Sequence, residues 1–95
     1  MENNKKKIRS KEEKRVLLNR IARIEGQIRG VKKMMEADAY CIDLLTQLSA
    51  TEAATHSLSM LILKEHIETC VKTELLGGND AALEELCQVI KRFTK

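Results

Sequence analysis

Apolar residues in the first third of the chain fall at Val16, Leu17, Ile21, Ile24, Ile28, Val31 and Met34/Met35. Steps of three and four place them on one side of a helix, so the spacing predicts a helix from about Lys11 to Glu36. From Ala39 to Leu76 there is neither Gly nor Pro. That stretch predicts a second long helix, carrying Leu44, Leu45, Leu48, Leu58, Met60, Leu61, Ile62 and Ile67. Glu36-Ala37-Asp38-Ala39 is the short connection, with Asp38 expected as the N-cap of the second helix. Gly77-Gly78-Asn79-Asp80 should stop that helix. Asn79 or Asp80 can then cap a third, over residues 80–93, with Ala82, Leu83, Leu86, Val89 and Ile90 inward. Gly26 and Gly30 lie inside the first helix. Each costs about 1 kcal/mol against Ala, so a close helix approach is expected to offset it. With no strand pattern and no internal repeat, the expectation is an all-α, three-helix subunit. It forms a single domain over residues 1–95, with residues 1–10 a flexible basic tail.

The second helix changes the picture because of where it carries Cys41, His66 and Cys70. Steps of 25 and 29 residues return to within about 20° of the same direction, so all three share one face. Along a single helix, however, Cys41 and His66 stand about 37 Å apart. Two copies packed antiparallel bring Cys41 of one chain to His66 and Cys70 of the other. The helices would cross near residues 54 and 55, where Ser49, Ala50, Thr51, Ala53, Ala54 and Thr55 allow a close approach. The result is two thiolates and one imidazole at each end of a homodimer. Cu(I) is soft and suits such a low-coordinate set. Zn²⁺ usually takes four ligands in a closed site, and no fourth is evident. His56 is offset from the ligand face by about 80° and reads as an exposed or interface histidine. Cys87 reads as a small core residue.

Charge sharpens the division of labour. Residues 1–33 carry 12 Lys/Arg against 4 Asp/Glu, and residues 34–95 carry 5 against 10, within an overall net charge of +3. A basic first third on an acidic remainder points to a polyanion-binding face. No apolar run is long enough to span a membrane, and no hydrophobic signal segment follows the charged start. An odd count of three cysteines does not suit a secreted disulfide protein, so a reducing, cytoplasmic setting is expected.

The run Leu18-Asn-Arg-Ile-Ala-Arg-Ile-Glu-Gly-Gln-Ile-Arg-Gly30, followed by Tyr40-Cys41, His66-Ile-Glu-Thr-Cys70 and Glu84-Glu85-Leu86, resembles the copper-sensitive operon repressor (CsoR) family. The likeness covers residues 14–92. It implies an antiparallel dimer core, a dimer-of-dimers tetramer, and repression of copper-resistance genes that Cu(I) relieves. It implies Cys41, His66 and Cys70 as Cu(I) ligands, with Tyr40 and Glu85 in the surrounding shell. A carboxylate such as Glu85 can accept the N–H of a ligating imidazole and fix its tautomer. Within the wider group, His66 argues against persulfide sensors, and Cys70 against the cobalt/nickel and formaldehyde types. Nickel sensors also use a histidine near the start of the first helix, and the region of Arg9 and Ser10 has none.

No helix-turn-helix or zinc finger is visible. Operator DNA would be held by a basic surface of first helices. Arg20 matches a family DNA-binding arginine, and Arg15, Arg23, Arg29, Lys32 and Lys33 are further candidates on composition and position. Family members often carry a basic residue near position 57, where this chain has Ser57. The alternatives are a persulfide sensor joining Cys41 to Cys70, a sensor of another metal, a helical adaptor, and a thiol enzyme built on Cys70 and His66. For the enzyme, no orienting group or oxyanion site is apparent.

Overall fold

The computed structural model describes residues 6–71, 76–78 and 80–93, with the side chains of Cys70 and Val71 outside that description. Residues 1–5 of the expected basic tail, residues 72–75 of the expected second helix and the candidate cap Asn79 also lie outside it. Every regular element among the described residues is helical: α1 (Lys11–Glu36), α2 (Cys41–His66), a π-helical turn (Ile67–Val71) and α3 (Asp80–Phe93). The chain forms two compact units, residues 1–58 and 59–95.

In the first unit, α1 starts where the periodicity places it, because Ser10 closes a capping box. The Glu13 N–H donates to Ser10 Oγ at 3.1 Å, and the Ser10 N–H donates back to Glu13 Oε1 at 3.1 Å. Two otherwise orphaned donors are thereby satisfied. Those hydrogen bonds, first from the Ser10 backbone and then from its side chain, hold the Glu13 carboxyl below the ordinary carboxylate value.

The other end of α1 differs from expectation. Asp38 does not cap α2; it ends α1. Its φ is 56°, its N–H donates to the Met35 carbonyl at 3.1 Å, and the Ala39 N–H donates to the Met34 carbonyl at 2.9 Å. This pair of bonds is the Schellman arrangement, with Asp where glycine is usual. Asp tolerates the left-handed region because its short polar side chain can hydrogen-bond locally. The N-cap position of α2 falls instead to Tyr40, whose carbonyl accepts from Asp43 at 3.0 Å and Leu44 at 3.1 Å.

Leu17 of α1 and Leu44 of α2 are the buried apolar side chains among the described residues of this unit, and Thr51 of α2 is buried as well. Three threonines of α2 return their hydroxyls to their own helix: Thr46 to the Ile42 carbonyl, Thr51 to Gln47 and Thr55 to Thr51. Burial of Thr51 therefore leaves no polar atom wanting a partner. Among the described residues, no neighbouring helix packs against the glycines of α1. A Cβ on Gly30 would meet nothing within 4 Å, and one on Gly26 would meet only the Arg29 side chain, at 3.7 Å.

In the second unit, the π turn replaces the uninterrupted α-helix expected through this stretch. The Thr69 hydroxyl bonds the Glu65 carbonyl at 2.7 Å. Gly78 takes a left-handed φ of 82° in the turn at Gly77-Gly78. Then α3 packs against the π turn. On α3, Ala82 is buried and Leu86 and Val89 are half-buried, as the periodicity expects, whereas Leu83 and Ile90 are exposed. Cys87 is exposed too, rather than a core residue. Residues 83, 87 and 90 make one stripe by helical spacing, and that stripe faces away from the packed side.

Candidate functional site

Cys41 opens α2 and carries a free, exposed thiol. Tyr40 precedes it with 70% of its side chain exposed. His66 is the last residue of α2 and half-buried, and Cys70 lies in the π turn. Glu85 is exposed on α3 and engaged in an interaction of its own. Among the described residues, no three His, Cys, Asp or Glu side chains gather closely enough to hold a metal ion. Cys41 continues along α2 into Leu45 and Leu48, spaced one and two turns on, and both are exposed. The thiol thus sits on an apolar stripe that the described residues leave uncovered.

The six candidate DNA-binding cations do not share one face. Arg20 and Arg23 lie about 60° apart around α1 and open into one cleft of about 300 Å³, lined also by Ile24, Gln27, Ala54 and Ser57. Arg29 points to the other flank, about 180° from Arg20, and lines a second cleft of about 440 Å³ with Ile21, Ile24, Glu25, Ile28, Thr55 and Leu58. Arg15 is ion-paired to Glu12, with Nε donating to Oε2 at 3.1 Å, and this bond raises its pKa above the ordinary arginine value. Lys32 and Lys33 are exposed near the end of α1, on neither cleft. Of these two clefts the Arg20–Arg23 cleft is the more cationic, and Ser57 of α2 is part of its wall.

The small residues expected at a helix crossing between copies are divided in the same way. Thr51 is buried, Ala54 is half-buried and lines one cleft beside α1, and Thr55 is exposed and lines the other. Ser49, Ala50 and Ala53 are exposed. Gln27 is the one residue of the cationic cleft that sequence reasoning passed over. Its signal was present, since Gln27 falls seven residues after Arg20 and four after Arg23, on the same side of α1.

Residues 13–92 match the family described as metal-sensitive transcriptional repressor. The chain is 42% identical over 88 residues to the copper-sensing transcriptional repressor CsoR of Bacillus subtilis (strain 168), covering 92% of this chain and 87% of that protein. It is similar to the crystal structure of the copper-sensing repressor CsoR with Cu(I) from Geobacillus thermodenitrificans NG80-2. The TM-score is 0.88 at 44% identity, over 95% of each chain. The nickel-responsive transcriptional regulator InrS matches with a TM-score of 0.74 at 35% identity, over 92% of this chain and 99% of that one. An all-helical chain with a basic first helix and thiol and imidazole groups on its second thus has its kin, and it belongs to the metal-sensitive transcriptional repressor family.

Proposed function

We propose that this chain is a Cu(I)-responsive transcriptional repressor. It binds operator DNA when metal-free and releases it when Cu(I) occupies a site shared between subunits, derepressing copper-resistance genes. The observation that carries the reading is the donor set. Cys41, His66 and Cys70 offer two sulfurs and one imidazole nitrogen, which fits a soft monovalent ion better than a hard or tetrahedral one. The likeness to relatives named for copper sensing supports the same choice. When bound, Cu(I) supplies a linkage between thiolates that would otherwise be free to separate.

The chain's own residues do the rest. Cys41 supplies one donor from its exposed position at the head of α2, and His66 and Cys70 of a second copy supply the others. Glu85 accepts the N–H of the His66 imidazole and fixes its tautomer, and Tyr40 adds a hydrogen bond beside Cys41. The exposed stripe of Cys41, Leu45 and Leu48 is the surface a second α2 covers in an antiparallel dimer, and two dimers make a tetramer. Arg20 and Arg23 form the centre of the DNA surface, and Arg15, Arg29, Lys32 and Lys33, which lie off that cleft, reach the same duplex only from other parts of α1 or from other subunits. No described helix is long and apolar enough to cross a membrane, and the protein works in the cytoplasm, as a binding protein rather than an enzyme. Release of DNA requires that the loaded dimer favour a state with lower DNA affinity, and the coupling is reciprocal.

The test is a DNA-binding isotherm under anaerobic conditions, with and without Cu(I). The wild type should weaken on Cu(I), and Cys41→Ala should keep its DNA affinity while losing the response. Equal affinity with and without Cu(I) in the wild type sinks the reading. The InrS likeness keeps Ni²⁺ as a second arm of the same titration, and a Ni²⁺ response without a Cu(I) response would assign the other metal.

A further inference from the structure

We infer that Gln27 reads a base edge, an adenine in the major groove, while Arg20 and Arg23 beside it hold the nucleic acid in place. The inference rests on the DNA-binding role proposed above and adds to it the residue that sets sequence preference. Its basis is the cleft between α1 and α2, whose wall brings together Arg20, Arg23, Gln27 and Ser57 over Ile24 and Ala54.

Of those groups, the two guanidiniums carry charge and only donate, so they bind phosphates of any sequence or the two acceptors of a guanine edge, and cannot match an adenine. Ile24 and Ala54 are apolar, and the Ser57 hydroxyl is short. Gln27 alone presents a donor and an acceptor on one rigid plane, the pair that matches adenine N7 and N6. Its side chain is exposed, and no hydrogen bond among the described residues engages it. The amide therefore has no competing partner to leave before it meets DNA.

Spacing agrees with a groove. Arg20 and Gln27 are seven residues apart on one side of α1, about 10 Å along the axis, which is about three base-pair steps. An α-helix fits the major groove, and α1 is continuous through this stretch. Docking removes water from the cleft, and a buried amide left without a partner is penalised. Sequences lacking the matching adenine would thus be disfavoured at Gln27, with no change at the arginines. Ser57 adds no charge at the cleft wall, so the amide is not overshadowed there by a third cation.

The experiment uses the full-length wild type, Gln27→Ala, Gln27→Glu and Arg20→Ala against a duplex pool with a randomised centre. The duplex selected by the wild type is then measured against a scrambled duplex by anisotropy at several salt concentrations. Gln27→Ala should keep its affinity for the scrambled duplex and its salt slope while losing roughly 5- to 100-fold of the preference for the selected one. Replacing one adenine by 7-deazaadenine should weaken the wild type and leave Gln27→Ala indifferent. Gln27→Glu should re-select cytosine at that position, since a carboxylate accepts from the cytosine amino group. Arg20→Ala should weaken both duplexes together. If Gln27→Ala retains the full preference, or if no adenine shows the 7-deaza coupling, the inference is overturned while DNA binding stands. If the wild type enriches no duplex and binds none, the DNA reading itself fails, and this inference with it.

Discussion

On one flank of the α1–α2 seam stand Arg20, Arg23, Gln27 and Ser57; on the other stand Ile21, Ile28 and Leu58, with Ile24 lining both. The same two helices therefore line both a cationic cleft and an apolar cleft. The contrast shows how a sequence with one helical period can serve two partners. Residues 20, 23 and 27 fall on one side of the α1 seam and residues 21, 25 and 28 on the other, so an offset of one residue changes the chemistry of the surface. The first flank suits a polyanion. The second exposes large aliphatics, with Ile28 at 48% and Ile21 at 39% of their surface, as a chain does when another chain is to cover them.

The strongest way to break this contrast is to put charge on the apolar flank. Ile28→Asp should drive the assembly apart in sedimentation. The loss should be about 1.5–3 kcal/mol for the side chain's burial, and more for a carboxylate held out of water. If Ile28 is water-exposed in the working protein, the variant will sediment and melt as the wild type does.

The next test removes charge from the polar flank. Arg20→Ala should cost about 10- to 100-fold in DNA affinity and flatten the salt dependence by about one phosphate contact, with an unchanged helical circular dichroism spectrum. Arg15→Ala makes the control. Its guanidinium is already paired with Glu12, so its loss should be the smaller of the two. Ser57→Lys runs the experiment in reverse. It adds a cation to the cleft wall, so it should tighten binding at low salt and steepen the salt slope by about 0.9.

Two smaller effects concern the ends of α1, which fix how both flanks are presented. Asp38→Gly should raise the unfolding free energy by about 1 kcal/mol, because glycine adopts the left-handed conformation at 56° without a Cβ clash. A decrease would show that the Asp38 side chain makes a contact worth more than that strain. The smallest effect is in pH. The Glu13 carboxyl titrates below its ordinary value in the folded chain, so its contribution is complete above that value. It is lost as pH falls through the depressed folded value. Thermal melts of wild type and Glu13→Gln should therefore differ near neutrality and converge in acid, where the wild-type carboxyl is also neutral.

Much of this architecture was legible in the residues, and the parts that were not share a cause. The span of α1 and the start of the third helix at Asp80 followed from periodicity and capping chemistry, which act within a few residues. Asp38 was misassigned because Asp is equally at home before a helix and in a left-handed closing turn. The choice is made by the Met34 and Met35 carbonyls, not by Asp38 itself. The π turn left no mark in composition, since Ile67-Glu-Thr-Cys-Val71 reads as ordinary helix. Of the candidate site, Cys41, His66 and Cys70 stood out because rare side chains at helical spacing are conspicuous. Gln27 did not, because its meaning depends on Ser57 and Ala54 arriving from another helix. The glycines at 26 and 30 were expected to admit a close neighbouring helix, and among the described residues none lies within 4 Å of where their Cβ atoms would be.

The position of Ile24 has a consequence for how such a protein can change over time. One branched aliphatic lines both recesses, so a change at this position reaches both at once. A drift in its volume that loosened self-assembly would, in the same step, re-aim the guanidiniums that hold nucleic acid. Affinity for the operator and cohesion of the assembly are thereby inherited together.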